Sequence, residues 1–140
     1  MKHSIESVRA TAWTKEGVLK LTQEQWNKFD KFKLHREDGY AVEHASGTWE
    51  WYINGKLHRE DGPAVDYATG DKEWYQHGIR HRLDGPAIEH YTLFPGRSSL
   101  DEWWINGKQI DKTIIENWIE ENNINLNLKI DQMALKLKFG

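Results

Sequence analysis

Three histidines, His35, His58 and His81, stand 23 residues apart, and three aspartates, Asp38, Asp61 and Asp84, keep the same spacing. With seven His and 22 acidic residues in 140, the chain has the side chains of a metal site or of acid–base hydrolysis. The spacing opposes both. If each unit is a two-strand hairpin, equivalent residues in successive units lie roughly 10 Å apart, because strands sit about 4.8 Å from one another. Two imidazole nitrogens on one zinc, each about 2.1 Å from the metal, can be no more than ~4.2 Å apart. The histidine row is therefore not a ligand set, and His-Arg-Glu-Asp within a unit lacks a metal-ligand spacing of the HExxH kind. Nothing selects two carboxylates for a glycosidase pair. There is no G-x-S-x-G, P-loop or Gly-rich phosphate fingerprint. The expectation is no metal, no cofactor and no catalytic residue, with His packed on Trp and Asp accepting hydrogen bonds from turn amides.

Composition points the same way. The net charge is -3, without the basic footprint of a duplex-binding protein, so no double-stranded nucleic acid is expected as a partner. Without cysteine there is no disulfide, thiolate nucleophile or Cys-type zinc site. No stretch approaches the ~18 apolar residues of a membrane span, and the start "MKHSIESVRATAW" lacks the apolar run of a signal peptide. The chain reads as one soluble cytoplasmic domain with no membrane partner. Eight Trp, five Tyr and four Phe give much of the core material to flat rings, which suit strands.

The histidines and aspartates belong to a repeat. Residues 51–65 read "WYINGKLHREDGPAV", residues 74–88 read "WYQHGIRHRLDGPAI", and residues 34–42 read "LHREDGYAV". Trp51 and Trp74 keep the 23-residue period, and Trp103 follows 29 residues later, after an enlargement in "YTLFPGRSSLDE". The array, from Leu34 to Ile110, thus has two full units flanked by two half units. Asn54-Gly55 and Asn106-Gly107 are strong type I′ hairpin signals, and His77-Gly78 fills the same slot. "PAVDY" and "PAIEH" are short strands opened by Pro, with "ASG" and "ATGD" as the turns between units. A two-residue turn at Asn54-Gly55 places Ile53 opposite Lys56, Tyr52 opposite Leu57, Trp51 opposite His58 and Glu50 opposite Arg59. The next unit gives Trp74 with His81 and Glu73 with Arg82. Such rungs contribute roughly 0.2–1 kcal/mol each.

The pattern W-Y-x-N-G-K-x-H…G resembles the MORN repeat. The "HREDGPA" form is similar to a MORN-related variant of small tailed-bacteriophage and bacterial proteins, with Arg-Glu-Asp lengthening the loop between His and Gly. The resemblance covers just over half the chain. It implies stacked hairpins in an elongated sheet, used as a scaffold or binding surface. The fold expected is therefore mainly β with terminal α: antiparallel hairpins capped by helices at both ends.

Segment 1–33 is the expected N-terminal cap, with a helix near 22–32 begun by Thr22 and Gln25 and carrying Trp26, Phe29 and Phe32 at helical spacing. Segment 34–110 is the array. In 111–140, Thr113 and Glu116 form a capping box for a helix whose apolar face is Ile114, Ile115, Trp118 and Ile119, ended by Asn122-Asn123. The tail alternates as Ile124/Leu126/Leu128/Ile130 and Leu135/Leu137/Phe139, which favours strands and leaves a short helix from Asp131 as the alternative.

Tyr52, Tyr75 and Trp104 fall on one strand face beside Glu50, Glu73 and Glu102, with Trp51, Trp74 and Trp103 on the other. An aromatic row flanked by Arg59 and Arg82 has the composition of an interaction hot spot. The expected function is a non-enzymatic module that binds another protein, with self-association open. The phage-like resemblance implies a small accessory factor that inhibits or redirects a host protein, such as a defence component. The alternatives are sequestration of a nucleotide-like anion by Arg and aromatic groups, and a hydrolase built on the repeat His and Asp.

Overall fold

The computed structural model describes residues 7–93 and 100–140; half of the stretch 91–102 that holds the enlargement, residues 94–99, lies outside them, as do residues 1–6 of the N-terminal segment. The chain opens with a hairpin, β1 (Ala10–Thr14) and β2 (Gly17–Leu21), followed by α1 (Gln23–Lys28). Next come β3 (Val42–His44), β4 (Trp49–Glu50) and an Asn-Gly hairpin, β5 (Tyr52–Ile53) with β6 (Lys56–Leu57). The second unit repeats this as β7 (Val65–Asp66), β8 (Lys72–Glu73) and the hairpin β9 (Tyr75–Gln76) with β10 (Ile79–Arg80). After β11 (Ile88–Glu89) come a last hairpin, β12 (Trp103–Ile105) with β13 (Lys108–Ile110), and two helices, α2 (Lys112–Glu121) and α3 (Lys129–Phe139).

Two sets of turns fold the chain into two tiers. Turns containing Gly47 and Gly70 connect the strands of a seven-stranded antiparallel sheet in the order β11-β8-β7-β4-β3-β1-β2. The other turns are the type I′ pairs: φ is 49° and 76° at Asn54-Gly55, 50° and 79° at His77-Gly78, and 50° and 77° at Asn106-Gly107. Each closes a two-stranded hairpin, and the hairpins stack. The Gly55, Gly78 and Gly107 amides donate to Leu34, Leu57 and Arg80 oxygens of the preceding unit. A Cβ on Gly55 would stand 2.5 Å from the Phe32 carbonyl oxygen, so close approach as well as positive φ demands glycine there.

The hairpin register is the expected one, with Tyr52 opposite Leu57 and Ile53 opposite Lys56. At the next rung the His58 amide donates to the Trp51 carbonyl, as His81 does to Trp74. One rung further the expectation fails. The chain bends at Trp51, and Glu50 passes into the long sheet, where it pairs with Val42 and Val65 rather than Arg59. Glu73 likewise pairs with Val65 and Ile88, not Arg82. A continuous aromatic run therefore serves two tiers, and the bend cancels both acid–base rungs.

The array also starts earlier than expected. The His35 amide donates to the Trp13 carbonyl, and Thr14 bridges Leu34 as Tyr52 pairs with Leu57. Trp13 thus fills the place of Trp51 and Trp74. It lies 38 residues before Trp51, 15 more than the period, because β2 and α1 replace a two-residue turn. The sheet ends at this side in strand β2. α1 is shorter than the expected 22–32 but keeps the capping box of Thr22 and Gln25.

Apolar burial is concentrated at the two ends. Ala10, Ala12, Leu21, Leu34 and Val42 are buried near Trp26 and Phe29, and Trp103, Ile105, Ile115 and Leu135 are buried with Trp118 and Phe139 around them. Between the ends, the alanines at the same repeat position, Ala41, Ala64 and Ala87, are fully buried. The C-terminal helices differ from expectation. Asp111, not Thr113, caps α2 by accepting from the Ile114 amide. Ile115 is buried whereas Ile114 is exposed, so the apolar face is rotated away from Ile114. Asn122 does end the helix, followed by Asn123 at φ 50°. The tail is α3 and not strands, because Leu135 and Phe139, four residues apart, are drawn onto the terminal cluster.

Candidate functional site

The repeated histidines join one hairpin to the next. His35 Nδ1 accepts from the Asn54 amide at 2.9 Å, His58 Nδ1 from the His77 amide at 3.0 Å, and His81 Nδ1 from the Asn106 amide at 2.9 Å. Each acceptor lies in one unit and each donor in the next type I′ turn. An imidazole that accepts at Nδ1 carries its proton on Nε2 when neutral. That proton faces Glu37 at 3.6 Å from His35 and Glu60 at 2.7 Å from His58.

The arginines and aspartates form a second structural motif. Arg36, Arg59 and Arg82 lie over the Trp13, Trp51 and Trp74 rings, at 4.5, 3.9 and 3.7 Å from guanidinium carbon to centroid. Each Nε donates to its own Asp38, Asp61 or Asp84, and each Nη1 to the oxygen of Tyr40, Pro63 or Pro86. On its far side the guanidinium meets the loop glycine. A Cβ on Gly62 or Gly85 would stand 2.8 Å from the Arg59 or Arg82 carbon. The motif R-x-D-G thus reads as a cation held between a ring and a bare backbone. The aspartates bond this cation instead of the turn amides expected of them. A cation–π contact adds roughly 0.5–1 kcal/mol at an exposed site and about 2 when desolvated.

Of the second aromatic row, Tyr75 bonds Glu73, Tyr52 lies within reach of the Glu50 charge, and Trp104 meets Arg80. Tyr75 and Tyr67 hydroxyls both bond Glu73, which is buried, and Arg80 bonds Tyr75 at 3.1 Å and Glu73 at 3.3 Å. Burial, then the Glu50 charge, raises the Tyr52 pKa; burial and the hydrogen bond to Glu73 raise that of Tyr67. Among the described residues the buried Trp104 Nε1 has no hydrogen-bond partner, and the Arg80 guanidinium lies over the ring at 5.0 Å from its centroid. Arg80 therefore accompanies the tyrosine row. Arg59 and Arg82 do not: their guanidinium groups are engaged on the tryptophan side.

The last unit breaks the pattern. Eight residues after Trp51 and Trp74 stand Arg59 and Arg82, but eight after Trp103 stands Asp111, the cap of α2. Helices take the place of the guanidinium. Trp103 is fully buried, with its Nε1 donating to Glu116. Leu83 replaces the glutamate of Glu37 and Glu60, and it packs on the terminal cluster. Beside it opens a groove of about 900 Å³ between successive loops, lined by Trp74, His77, His81, Arg82, Asn106 and, from α3, Lys136. Burial and the Lys136 charge lower the His81 pKa.

Two features escaped the sequence reading. One is Lys136 at the groove. The other is the outer face of α3, where Ile130, Met133 and Leu137 are 76%, 52% and 83% exposed. Their i, i+3, i+7 spacing was visible in the tail, as was the Glu-to-Leu change at position 83 once the units are aligned. Among the described residues, no three His, Asp or Glu side chains are placed to hold a metal ion, and no helix is long and apolar enough to cross a membrane. Compared with known proteins, the chain matches no family model, no curated protein and no solved structure.

Proposed function

We propose that the chain is a non-enzymatic protein-binding module whose contact face is the outer side of α3. The supporting observation is the apolar stripe of Ile130, Met133 and Leu137, opposite the face through which Leu135 and Phe139 pack on the array. A helix already anchored by one apolar face has no folding use for a second, and apolar patches of this kind mark interaction sites. By helical spacing Lys129 and Lys136 flank the stripe on one side and Lys138 on the other, which suits a partner with an acidic amphipathic helix. The engagement of the repeat Arg, Asp and His groups in structural bonds also favours architecture over catalysis. The MORN-like resemblance extends the proposal to a phage accessory factor acting on a host protein in the cytoplasm.

The test compares capture of proteins from bacterial lysate by the wild-type chain, an Ile130→Asp/Leu137→Asp variant and Tyr75→Ala. The stripe variant is expected to lose its partner while stability changes by under about 0.5 kcal/mol, as for exposed positions generally. Capture lost in Tyr75→Ala at equal folded fraction, and kept in the stripe variant, would move the binding face to the tyrosine row. A stripe occupied by a second copy of the chain would appear as a dimer in sedimentation and would overturn the assignment to a foreign partner.

A further inference from the structure

The repeat contains its own control for the groove beside His81. In the first two units the histidine Nε2 faces a carboxylate two residues on, Glu37 or Glu60. In the third unit that residue is Leu83, turned into the terminal cluster. His81 still accepts the Asn106 amide at Nδ1, so its proton remains on Nε2. Among the described residues this Nε2–H has no protein acceptor, and it is not sealed from solvent.

The charges around the groove are unequal in availability. Asp84 and Glu89 are bound by Arg82 at 2.7 and 2.5 Å, Asp61 by Arg59 at 3.4 Å, and Glu60 by His58. Lys72 is bound to Asp66 at 3.0 Å. Lys136 alone among the groove's cations has no side-chain partner within the described chain, and its charge is felt at His81. Two donors, one neutral and one cationic, thus line the groove in the unit where leucine replaces the glutamate of the other units.

We propose that the His81–Lys136 end of this groove is a binding subsite for an oxyanion, a carboxylate or phosphate group that takes the place of the missing glutamate. The His81 Nε2–H supplies a directed hydrogen bond, and Lys136 supplies the charge. The ring stays a neutral donor near pH 7, because burial and Lys136 both oppose its protonation. A bound oxyanion reverses that opposition and raises the tendency of His81 to protonate. The site shares Lys136 with the edge of the α3 stripe but not the stripe's apolar residues, and its test requires no partner protein.

The experiment follows the His35, His58 and His81 side-chain resonances of the full chain by NMR while sodium phosphate, or separately sodium acetate, is added at constant ionic strength. A saturating shift at His81, with His58 unmoved, is expected for at least one of the two anions. Saturation with phosphate alone identifies a phosphate site; saturation with both identifies a general oxyanion site. Lys136→Gln, an exposed change that leaves the core intact, is expected to weaken binding roughly five-fold, the worth of one exposed charge. Leu83→Glu returns a carboxylate to the place it holds beside His58, and where its melting matches that of the wild type it is expected to weaken binding. Absence of a saturating shift at His81, equal shifts at His58, or unchanged affinity in Lys136→Gln would each overturn the proposal.

Discussion

The units built on His58 and His81 share nearly the same residues and end in different chemistry. In both, an arginine lies on a tryptophan ring, an aspartate holds the guanidinium, and a histidine Nδ1 reaches the next turn. Around His58 every repeated polar group finds a partner within the array, and the ring is buried. Around His81 the glutamate has become Leu83, the following arginine has become a helix cap, and the apolar mass of α2 and α3 replaces them. A repeat can therefore be structural along its length and still acquire a site where it stops. Termination removes polar partners from the last unit and brings in residues, such as Lys136, that no unit encodes.

The largest test of this difference concerns the tryptophans. Trp74 is half-buried beneath one guanidinium, whereas Trp103 is fully buried beneath helices. Trp103→Ala is expected to cost about 3–5 kcal/mol, the range for a buried aromatic, and Trp74→Ala clearly less. Equal losses in urea-monitored unfolding would mean that the guanidinium covers a ring as effectively as the helices do.

A smaller effect separates the histidines by pH. His81→Ala removes the acceptor of the Asn106 amide, an expected loss of about 1–2 kcal/mol near neutral pH. The folded His81 pKa lies below its ordinary value of about 6.5, with burial the main cause. Its neutral ring therefore contributes fully above about pH 6.5, and the contribution falls as pH drops through the lowered folded pKa. The stability gap between wild type and His81→Ala should narrow on acidification. A gap that widened would contradict the lowered pKa.

Much of the array was legible because its signals are local. Asn54-Gly55 dictates a type I′ turn, and counting outward from it gave the Tyr52–Leu57 and Trp51–His58 rungs. The count failed beyond Trp51 because the bend there depends on the long sheet, which no hairpin predicts. Arg59 then followed its ring and glycine rather than the rung with Glu50. Trp13 was hidden by a hairpin and helix inserted where two turn residues suffice elsewhere. In the tail, Leu135/Leu137/Phe139 satisfied an alternating pattern, while Ile130, Met133 and Leu137 satisfied a helical one. Packing of Leu135 on the terminal cluster decided between them. The site at His81 required knowledge of where α3 lies, and only the change at position 83 was written in the sequence.

The most direct test of the account is a side-chain nitrogen–proton correlation spectrum of the histidines near neutral pH. The stacking predicts the Nε2–H tautomer at His35, His58 and His81, since each Nδ1 accepts a backbone amide. It further predicts that the His58 Nε2 proton, bonded to Glu60, exchanges slowly with water while that of His81 exchanges rapidly. An Nδ1–H tautomer at any of the three would contradict the stacking. Equal protection at His58 and His81 would show that the last unit is as closed as the one before it.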